Sequence, residues 1–311
     1  MPETHVQPEG PTAVKRDRPI VNLVLFVLTF ATTTFAGAMH YGGFVLDFKS
    51  GPVPPLSMLM LGGLWYSVTI LAILGAHELG HYFACRLYRV DASLPYFLPA
   101  PVPLTGTLGA FIRIRRQVYS KRVLFDIGVA GPFAGFVVAV PALVAGLWMS
   151  RLVRIPPDFE GFWLGEPLLY KAAAWLVWGN PPAGFDLNMH PMAFAAWFGL
   201  LATALNLFPI GQLDGGHVSY AVLGRRRSSY VTLSMVGVVI ALTFVSTSWL
   251  FWSVLMVAML LVFGPHHPRT VDEEIPLDRT RRVLAAVALL IFLACFTPAP
   301  IEPLDLLSSP R

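Results

Sequence analysis

The sequence predicts an all-α polytopic membrane protein with about seven transmembrane helices and one short re-entrant β element. Three observations favour this class. Of the 311 residues, 55% are apolar and only 13% are charged, whereas soluble domains average about 25% charged residues. The mean hydropathy is +0.63. The apolar content excludes a disordered chain, the net charge of +4 is too small for a nucleic-acid binder, and two cysteines cannot form a disulfide scaffold.

Each predicted span is an apolar run, and the first, Ile20–Met39, has the length of about 20 residues that a helix needs to cross a hydrocarbon core. The first run follows a polar segment that ends with Lys15, Arg16 and Arg18, and we expect it to remain as an uncleaved span. The predicted spans are Ile20–Met39, Met58–Ala76, Val123–Met149, Met192–Phe208, two within Ser229–Gly264, and Val283–Thr297.

Two segments decide the number of spans. Ser229–Gly264 has no charge over 36 residues, and as one helix it would be about 54 Å long, too long for a single crossing. We therefore divide it into two spans at Ser246-Thr247-Ser248. Leu168–Trp178 has only 11 residues, contains Lys171 and is rich in aromatic residues, so we expect a helix that lies at the membrane interface.

The distribution of basic residues predicts the orientation. With the N-terminus on the inner side, 17 of the 22 Lys and Arg residues fall in inner segments, which agrees with the positive-inside rule. We therefore expect the N-terminus to face the cytoplasm, or the equivalent side of an organelle membrane. The predicted domains are a polar cytoplasmic segment at 1–19, a single membrane domain at 20–298 and a flexible tail at 299–311.

Ionisable residues within an apolar span are costly and mark functional sites by default. The second span continues into the H-E-x-x-H pattern of His77, Glu78 and His81. On a helix, the two histidines share one face and can bind one metal ion, while the Glu78 carboxylate can reach a water on that metal. A catalytic zinc ion has three protein ligands and a water. The alternative is a chance pair of helix-end histidines that flank an interfacial glutamate.

A third metal ligand is therefore needed. The candidate aspartates are Asp91, Asp126, Asp186 and Asp214. The predicted topology places Asp186 on the outer side, away from the histidines. Asp126 follows Lys121 and Arg122, so a local ion pair is its simpler interpretation.

Asp214 lies just after the fourth span. Pro209 and Gly211 break the helix at membrane depth, which is tolerated where the backbone faces protein or a watery cavity. Because the second and fourth spans both end on the inner side, Asp214 is expected near the two histidines. Its position leaves two roles open, a metal ligand and an N-cap for the following helix.

The two motifs together resemble those of the site-2 protease family of intramembrane zinc metalloproteases. One is HELGH at His77–His81, and the other is NLFPIGQLDG at Asn206–Gly215, which fits the pattern N-x-x-P-x-x-x-L-D-G. The resemblance covers about Leu71–Gly224, and it implies a catalytic core at about 57–224. The sequence is most similar to the branch without PDZ or CBS domains, because no outer segment is long enough for a PDZ domain.

The resemblance implies a role for each residue at a matching position. His77, His81 and Asp214 are expected to bind one zinc ion per chain. Glu78 is expected to be the general base, and Asn206 is expected to contact the substrate or the developing oxyanion.

Two further segments bear on substrate binding and packing. Gly106–Arg115 alternates apolar and other residues from Leu108, which is the period of a strand. It is either the edge of a surface hairpin or, by the resemblance, a re-entrant β element near the active site that holds an unwound substrate by β-augmentation. Gly131–Gly135 is a small-xxx-small motif that favours close helix packing. The candidate substrate-binding residues are Gly106, Gly109, Phe111 and Asn206.

These features predict a metalloendopeptidase that hydrolyses a peptide bond within or near a transmembrane segment of another protein. We expect the active site to lie toward the cytoplasmic face, and we expect the lipid bilayer and a transmembrane substrate as partners. The resemblance adds an upstream protease that acts on the same substrate. One alternative is a non-proteolytic zinc-binding scaffold or transporter, in which ionisable groups would be spread along several spans. The other is an inactive homologue, which the intact Glu78 argues against.

Overall fold

The computed structural model describes residues 18–303 except 48, 50, 116, 117, 119, 155–161 and 265–267. The predictions for residues 1–17 and 304–311 lie outside this part. Helices dominate the described residues. They are α1 (Pro19–Leu46), α2 (Leu56–Leu87), α3 (Lys121–Trp148), α4 (Leu168–Trp178), α5 (Pro191–Leu207), α6 (Asp214–Leu223), α7 (Arg225–Leu242), α8 (Ser248–Phe263) and α9 (Arg279–Cys295). Of these, α1, α2 and α3 are long and apolar enough to cross a membrane, so the chain is an integral membrane protein.

The second helix extends further than the hydropathy pattern indicates. The predicted span ends at Ala76, but α2 continues without a break to Leu87. The H-E-x-x-H motif therefore lies inside a continuous helix, and this fixes the angular relationship of its side chains.

The segments that decided the span count form helices as expected. The uncharged stretch breaks into α7 and α8, with the break at residues 243–247. The 11-residue segment predicted to lie at the interface is α4. Its Tyr170 and Ala173 are buried, whereas Leu168, Trp175 and Leu176 are exposed and form an apolar stripe.

The strands form three two-stranded antiparallel sheets, so the chain has more β structure than the single element expected. The pairs are β1 (Tyr96–Pro99) with β2 (Thr107–Phe111), β3 (Arg151–Arg154) with β5 (Phe185–Asn188), and β4 (Phe162–Leu164) with β6 (Ile301–Pro303). β2 confirms the predicted strand, although it ends at Phe111 and pairs with β1, which lies where no strand was expected. β6 begins at Ile301 and pairs with β4, so the flexible tail predicted from residue 299 does not hold for residues 301–303.

The β1–β2 hairpin lies along α1. At its base, the Asn22 Nδ2 amide donates hydrogen bonds to the carbonyls of Leu94 at 3.2 Å and Pro95 at 2.8 Å. At its tip, the His40 side chain contacts the carbonyl of Leu104 at 3.0 Å. Asn22 and His40 are about 27 Å apart on a straight helix that rises ~1.5 Å per residue. The hairpin therefore follows α1 for most of the thickness of a hydrocarbon core.

The irregular tip of the hairpin has its backbone carbonyls satisfied by side chains. His40, Tyr66 and Thr32 donate to the carbonyls of residues 104, 105 and 106, at 3.0, 3.0 and 2.6 Å. Unpaired carbonyls would be costly at membrane depth, where water is not available. These three side chains are the physical reason that a non-helical segment is stable beside α1 and α2.

The central core lies between α2, α3 and α5, and it holds the helices that carry the candidate site. Large side chains from all three helices are fully buried there. They include Tyr66, Phe125, Leu143, Trp197 and Leu200.

Candidate metal centre

The two histidines of the motif face the same side of α2. His77 and His81 are one helical turn apart, and their Nε2 atoms are 3.1 Å apart. Each residue is only 7% exposed. Two imidazoles brought together away from water are costly unless they share a ligand.

A tight turn delivers Asp214 to these histidines. α5 ends at Leu207, and α6 begins at Asp214. Between them, Gly211 adopts a φ of +54°, a left-handed conformation that glycine adopts at little cost. A Cβ atom at Gly215 would lie 2.0 Å from the Leu207 carbonyl oxygen, and one at Gly216 would lie 2.2 Å from that of Gly211. The absence of side chains at these two positions allows α6 to start directly against the end of α5.

Three potential ligand atoms form a small, nearly equilateral triangle. Asp214 Oδ2 lies 3.3 Å from His77 Nε2 and 3.2 Å from His81 Nε2. The third side of the triangle is the 3.1 Å distance between the two Nε2 atoms. Ligands at about 2.0–2.1 Å from a tetrahedral zinc ion are about 3.3–3.4 Å from one another, so the three side chains fit zinc. In the described part of the chain, this is the group of His, Cys, Asp or Glu side chains that is close enough to hold a metal ion.

Asp214 is the first residue of α6, and Leu213 occupies the N-cap position. The N-cap role left open by the sequence therefore does not apply. Its carboxylate contacts the imidazoles of α2 instead.

Glu78 lies beside the triangle. It is 6% exposed, and its Oε1 atom is 4.0 Å from His77 Nε2. The carboxylates of Glu78 and Asp214 together would balance the two positive charges of a zinc ion, which makes a buried cation acceptable here.

Asn206 is also brought to the centre, from the last turn of α5. Its Nδ2 atom is 3.5 Å from His77 Nε2. The side-chain amide therefore faces the same small space as the three ligand atoms, where it can donate a hydrogen bond.

The groups that orient His81 lie on α3, far along the chain from the motif, and were not predicted from the sequence. Its Nδ1 atom donates to the carbonyl of Ile127 on α3, at 2.8 Å, which leaves Nε2 free to bind a metal. Gly131, one turn further along α3, faces the same ring. The small-xxx-small motif predicted a close helix contact at this position, but not that the histidine makes the contact.

The candidate substrate-binding residues of the hairpin differ in their surroundings. Gly109 has a φ of +101° and faces open space, and Phe111 is 46% exposed. Gly106 is buried against α1, and a Cβ atom there would lie 2.6 Å from the Thr32 carbonyl oxygen. Gly106 is therefore a packing residue, and its predicted contact with substrate is not supported by this position.

The other aspartates lie away from the triangle. The ion pair expected between Asp126 and Lys121 or Arg122 is a misassignment, because Asp126 pairs with Arg281 of α9 at 2.5 Å. Lys121 Nζ instead donates to the carbonyl of Glu273, at 2.8 Å. Asp91 pairs with Arg115, and Asp186 lies on β5.

Comparison with known proteins agrees with this geometry. Peptidase family M50 matches residues 65–247, a range that contains both motifs. The probable chloroplastic zinc metalloprotease EGY2 of Oryza sativa subsp. indica is 31% identical over 257 residues, which cover 80% of this chain and 45% of that protein. EGY1 of Arabidopsis thaliana, also named a probable chloroplastic zinc metalloprotease, is 30% identical over 255 residues, which cover 74% of this chain and 45% of that protein.

The chain thus spans less than half the length of these curated relatives. The family match nevertheless covers more than half of this chain and contains every residue of the metal centre. The chain therefore belongs to peptidase family M50, the site-2 protease family.

Proposed function

We propose that the chain is an intramembrane zinc metalloprotease that hydrolyses a peptide bond within or near a transmembrane segment of a substrate protein. The observation that carries the proposal is the buried Glu78 carboxylate beside the triangle of His77, His81 and Asp214, on a helix long enough to cross the membrane. A structural metal site would not need an additional buried carboxylate next to its ligands.

The chain's residues divide the work of hydrolysis among them. Zinc, when bound, supplies Lewis acidity toward a water and a peptide carbonyl. Glu78 accepts the proton of the attacking water and then donates it to the leaving amine. The Asn206 amide donates a hydrogen bond to the carbonyl oxygen as that oxygen gains negative charge.

The hairpin is proposed to hold the substrate in an extended form. A peptide bond inside a helix has its carbonyl hydrogen-bonded, so the scissile segment must unwind before it is attacked. An unwound segment needs new backbone partners at membrane depth, and a strand edge supplies them by β-augmentation. The open space around Gly109 and the 46% exposure of Phe111 support this role, because both positions are accessible to a substrate. Gly109 and Phe111 remain the candidate substrate contacts.

The proposed arrangement in the membrane has seven spans. These are α1, α2, α3, α5, α7, α8 and α9, with α4 at the interface and the hairpin as the re-entrant element. The shortest of these helices are α8 with 16 residues and α5 and α9 with 17 residues each. At 1.5 Å per residue they are about 24–26 Å long, which is close to the hydrocarbon thickness. The distribution of basic residues supports a cytoplasmic N-terminus and an active site near the cytoplasmic face.

The proposed partners are a transmembrane protein substrate, the surrounding lipid and an upstream protease that trims the same substrate. A non-proteolytic zinc scaffold or transporter is the competing proposal. A transport path would place ionisable groups at several depths. The groups of the metal centre gather instead at one depth, in the last third of α2, which favours a single reaction centre.

The decisive experiment compares wild type with Glu78→Gln in detergent, using single-span model substrates with and without a zinc chelator. Glu274→Gln is the matched control, because Glu274 lies exposed on the connector before α9. Wild type and control are expected to cleave only when zinc is present, and Glu78→Gln is expected to retain zinc without cleaving. Cleavage by Glu78→Gln, or cleavage that survives chelation, would refute the mechanism.

A further inference from the structure

A network of hydrogen bonds joins the last helix to the beginning of α3. Arg281 of α9 donates from Nε to Asp126 Oδ1 at 2.9 Å and from Nη2 to Asp126 Oδ2 at 2.5 Å, a bidentate geometry that only arginine provides. The Tyr88 hydroxyl, at the end of α2, donates to the same carboxylate. The remaining Arg281 donor group, Nη1, bonds to Asp278.

The network lies one residue from a group that orients the metal centre. Asp126 precedes Ile127, whose carbonyl accepts the Nδ1–H of His81 at 2.8 Å. Groups that accept a hydrogen bond from the other ring nitrogen of a metal-binding histidine fix its tautomer and its ring orientation. A displacement of this turn of α3 would therefore be transmitted to His81.

The backbone of α3 is weakened at this point. Pro132 lies inside the helix and has no N–H group to bond the carbonyl four residues earlier, at Gly128. Because this hydrogen bond is missing next to Ile127, hydrogen bonds from neighbouring helices contribute more to the position of the turn that contains Ile127.

We propose that Arg281 is a positioning residue for the metal centre, and that it acts through the Asp126 carboxylate and the Ile127 carbonyl on His81. Arg281 lies outside the range matched by the peptidase family. The role depends on the zinc site of the proposed function, but it does not depend on proteolysis.

The test measures zinc affinity by competition with a chelator, on folded protein in detergent and below the unfolding temperature. Arg281→Gln is expected to bind zinc about tenfold or more weakly, since loss of such outer contacts costs about 10–100-fold in metal affinity. Arg281→Lys keeps the charge without the bidentate geometry, and we expect an intermediate loss. Arg282→Gln is the matched control, because Arg282 is the next residue on the same helix and is exposed.

A double-mutant cycle separates positioning from general stabilisation. If Arg281 acts through Asp126, then Asp126→Asn weakens zinc binding to a similar degree. The zinc affinity of the double variant is then no lower than that of the more affected single variant. The absorption bands of Co²⁺ substituted for zinc are expected to shift in the same variants, which a loss of stability alone would not produce.

Three results would overturn the proposal. They are zinc affinity of Arg281→Gln within twofold of wild type, an equal loss in Arg282→Gln, and independent losses in the double variant. If the Arg281 variants do not fold, Tyr88→Phe and Asp126→Asn decide the question by the same affinity criterion. A wild-type protein that binds no zinc would refute the proposed function, whereas unaltered zinc affinity in the variants refutes only the role of Arg281.

Discussion

His81 of α2 packs directly against Gly131 of α3. A Cβ atom at Gly131 would lie 2.1 Å from His81 Nε2, the atom that faces the other two potential ligands. Real Cβ atoms do not approach a ring this closely, so the imidazole occupies the space that a side chain at residue 131 would fill. The close packing of α2 on α3 and the shape of the metal centre therefore depend on the same glycine.

Substitution of this glycine is expected to disrupt the metal centre. In Gly131→Ala the added methyl group displaces the His81 ring, and zinc affinity is expected to fall by about tenfold or more. Gly237→Ala is the control, because Gly237 is also helical but has no atom within 4 Å of its added Cβ. Zinc content after dialysis, measured by atomic absorption, checks the prediction. Full zinc content in Gly131→Ala would contradict it.

Loss of the Asp214 carboxylate is expected to remove the third ligand. Asp214→Asn keeps the size of the side chain but replaces an anionic ligand with a neutral amide, so zinc content is expected to fall from about one ion per chain toward zero. The control is Asp186→Asn, on the β3–β5 sheet away from the centre. Stoichiometric zinc in the Asp214 variant would place the third ligand elsewhere.

The hairpin tip offers a test of the buried hydrogen bonds. Tyr66 is fully buried, and in Tyr66→Phe the carbonyl of Thr105 loses the hydroxyl that donates to it. The cost is expected to be about 1–2 kcal/mol in the free energy of unfolding. Thermal unfolding in detergent measures it, with Tyr41→Phe as the control, since the Tyr41 hydroxyl makes no hydrogen bond to the described residues. Equal unfolding temperatures for the two variants would show that the tip is held by other contacts.

The connector before α9 is expected to give a pH-dependent stability. Partial burial acts to raise the pKa of Asp272, but hydrogen bonds from the Lys121 N–H and the Ser120 hydroxyl outweigh it, so the pKa lies below its ordinary value. Because the folded pKa is depressed, this carboxylate stabilises the fold above the ordinary aspartate pKa of about 4. The contribution is lost as the pH falls through the folded pKa.

Asp272→Asn tests this contribution. The carboxylate accepts the Lys121 N–H at 2.6 Å and so acts as a cap for α3 from a distant part of the chain. We expect a loss of about 1 kcal/mol at pH 7, the usual value of a helix cap, and a smaller difference from wild type below about pH 4. Glu274→Gln serves as the control. A difference that stays constant from pH 7 to pH 3 would exclude the charged carboxylate as its source.

The sequence was sufficient to predict the features that depend on local periodicity. Leu168–Trp178 was identified as a short helix because its length and its aromatic residues distinguish it from a crossing, and α4 has these bounds. The positions of His77 and His81 on one helical face follow from their spacing. The role of Asp214 was more difficult to predict, since its approach to the histidines depends on the turn before α6. The sequence pattern alone did not distinguish a metal ligand from a helix N-cap.

The features that were missed depend on partners that are distant in the chain. β4 has three residues, and its strand conformation is supported by β6, almost 140 positions later. Asp126 was assigned to nearby basic residues, because no local pattern indicates that Arg281, 155 residues away, makes the ion pair. For the same reason the contact between Gly131 and His81 was not predictable. The small-xxx-small motif predicts a close helix contact, but not which residue of the other helix makes it.

The acidic pair on the connector before α9 has a consequence for how the chain is organised. Asp272 binds the start of α3, and the Glu273 carboxylate accepts the backbone N–H of Arg225 at the start of α7, at 3.3 Å. Both helix starts belong to the range 65–247 matched by the family, whereas both acidic residues lie outside it. Two helix starts of the matched range are therefore capped by residues from beyond its end, and a fragment that stops at residue 247 would lose both hydrogen bonds.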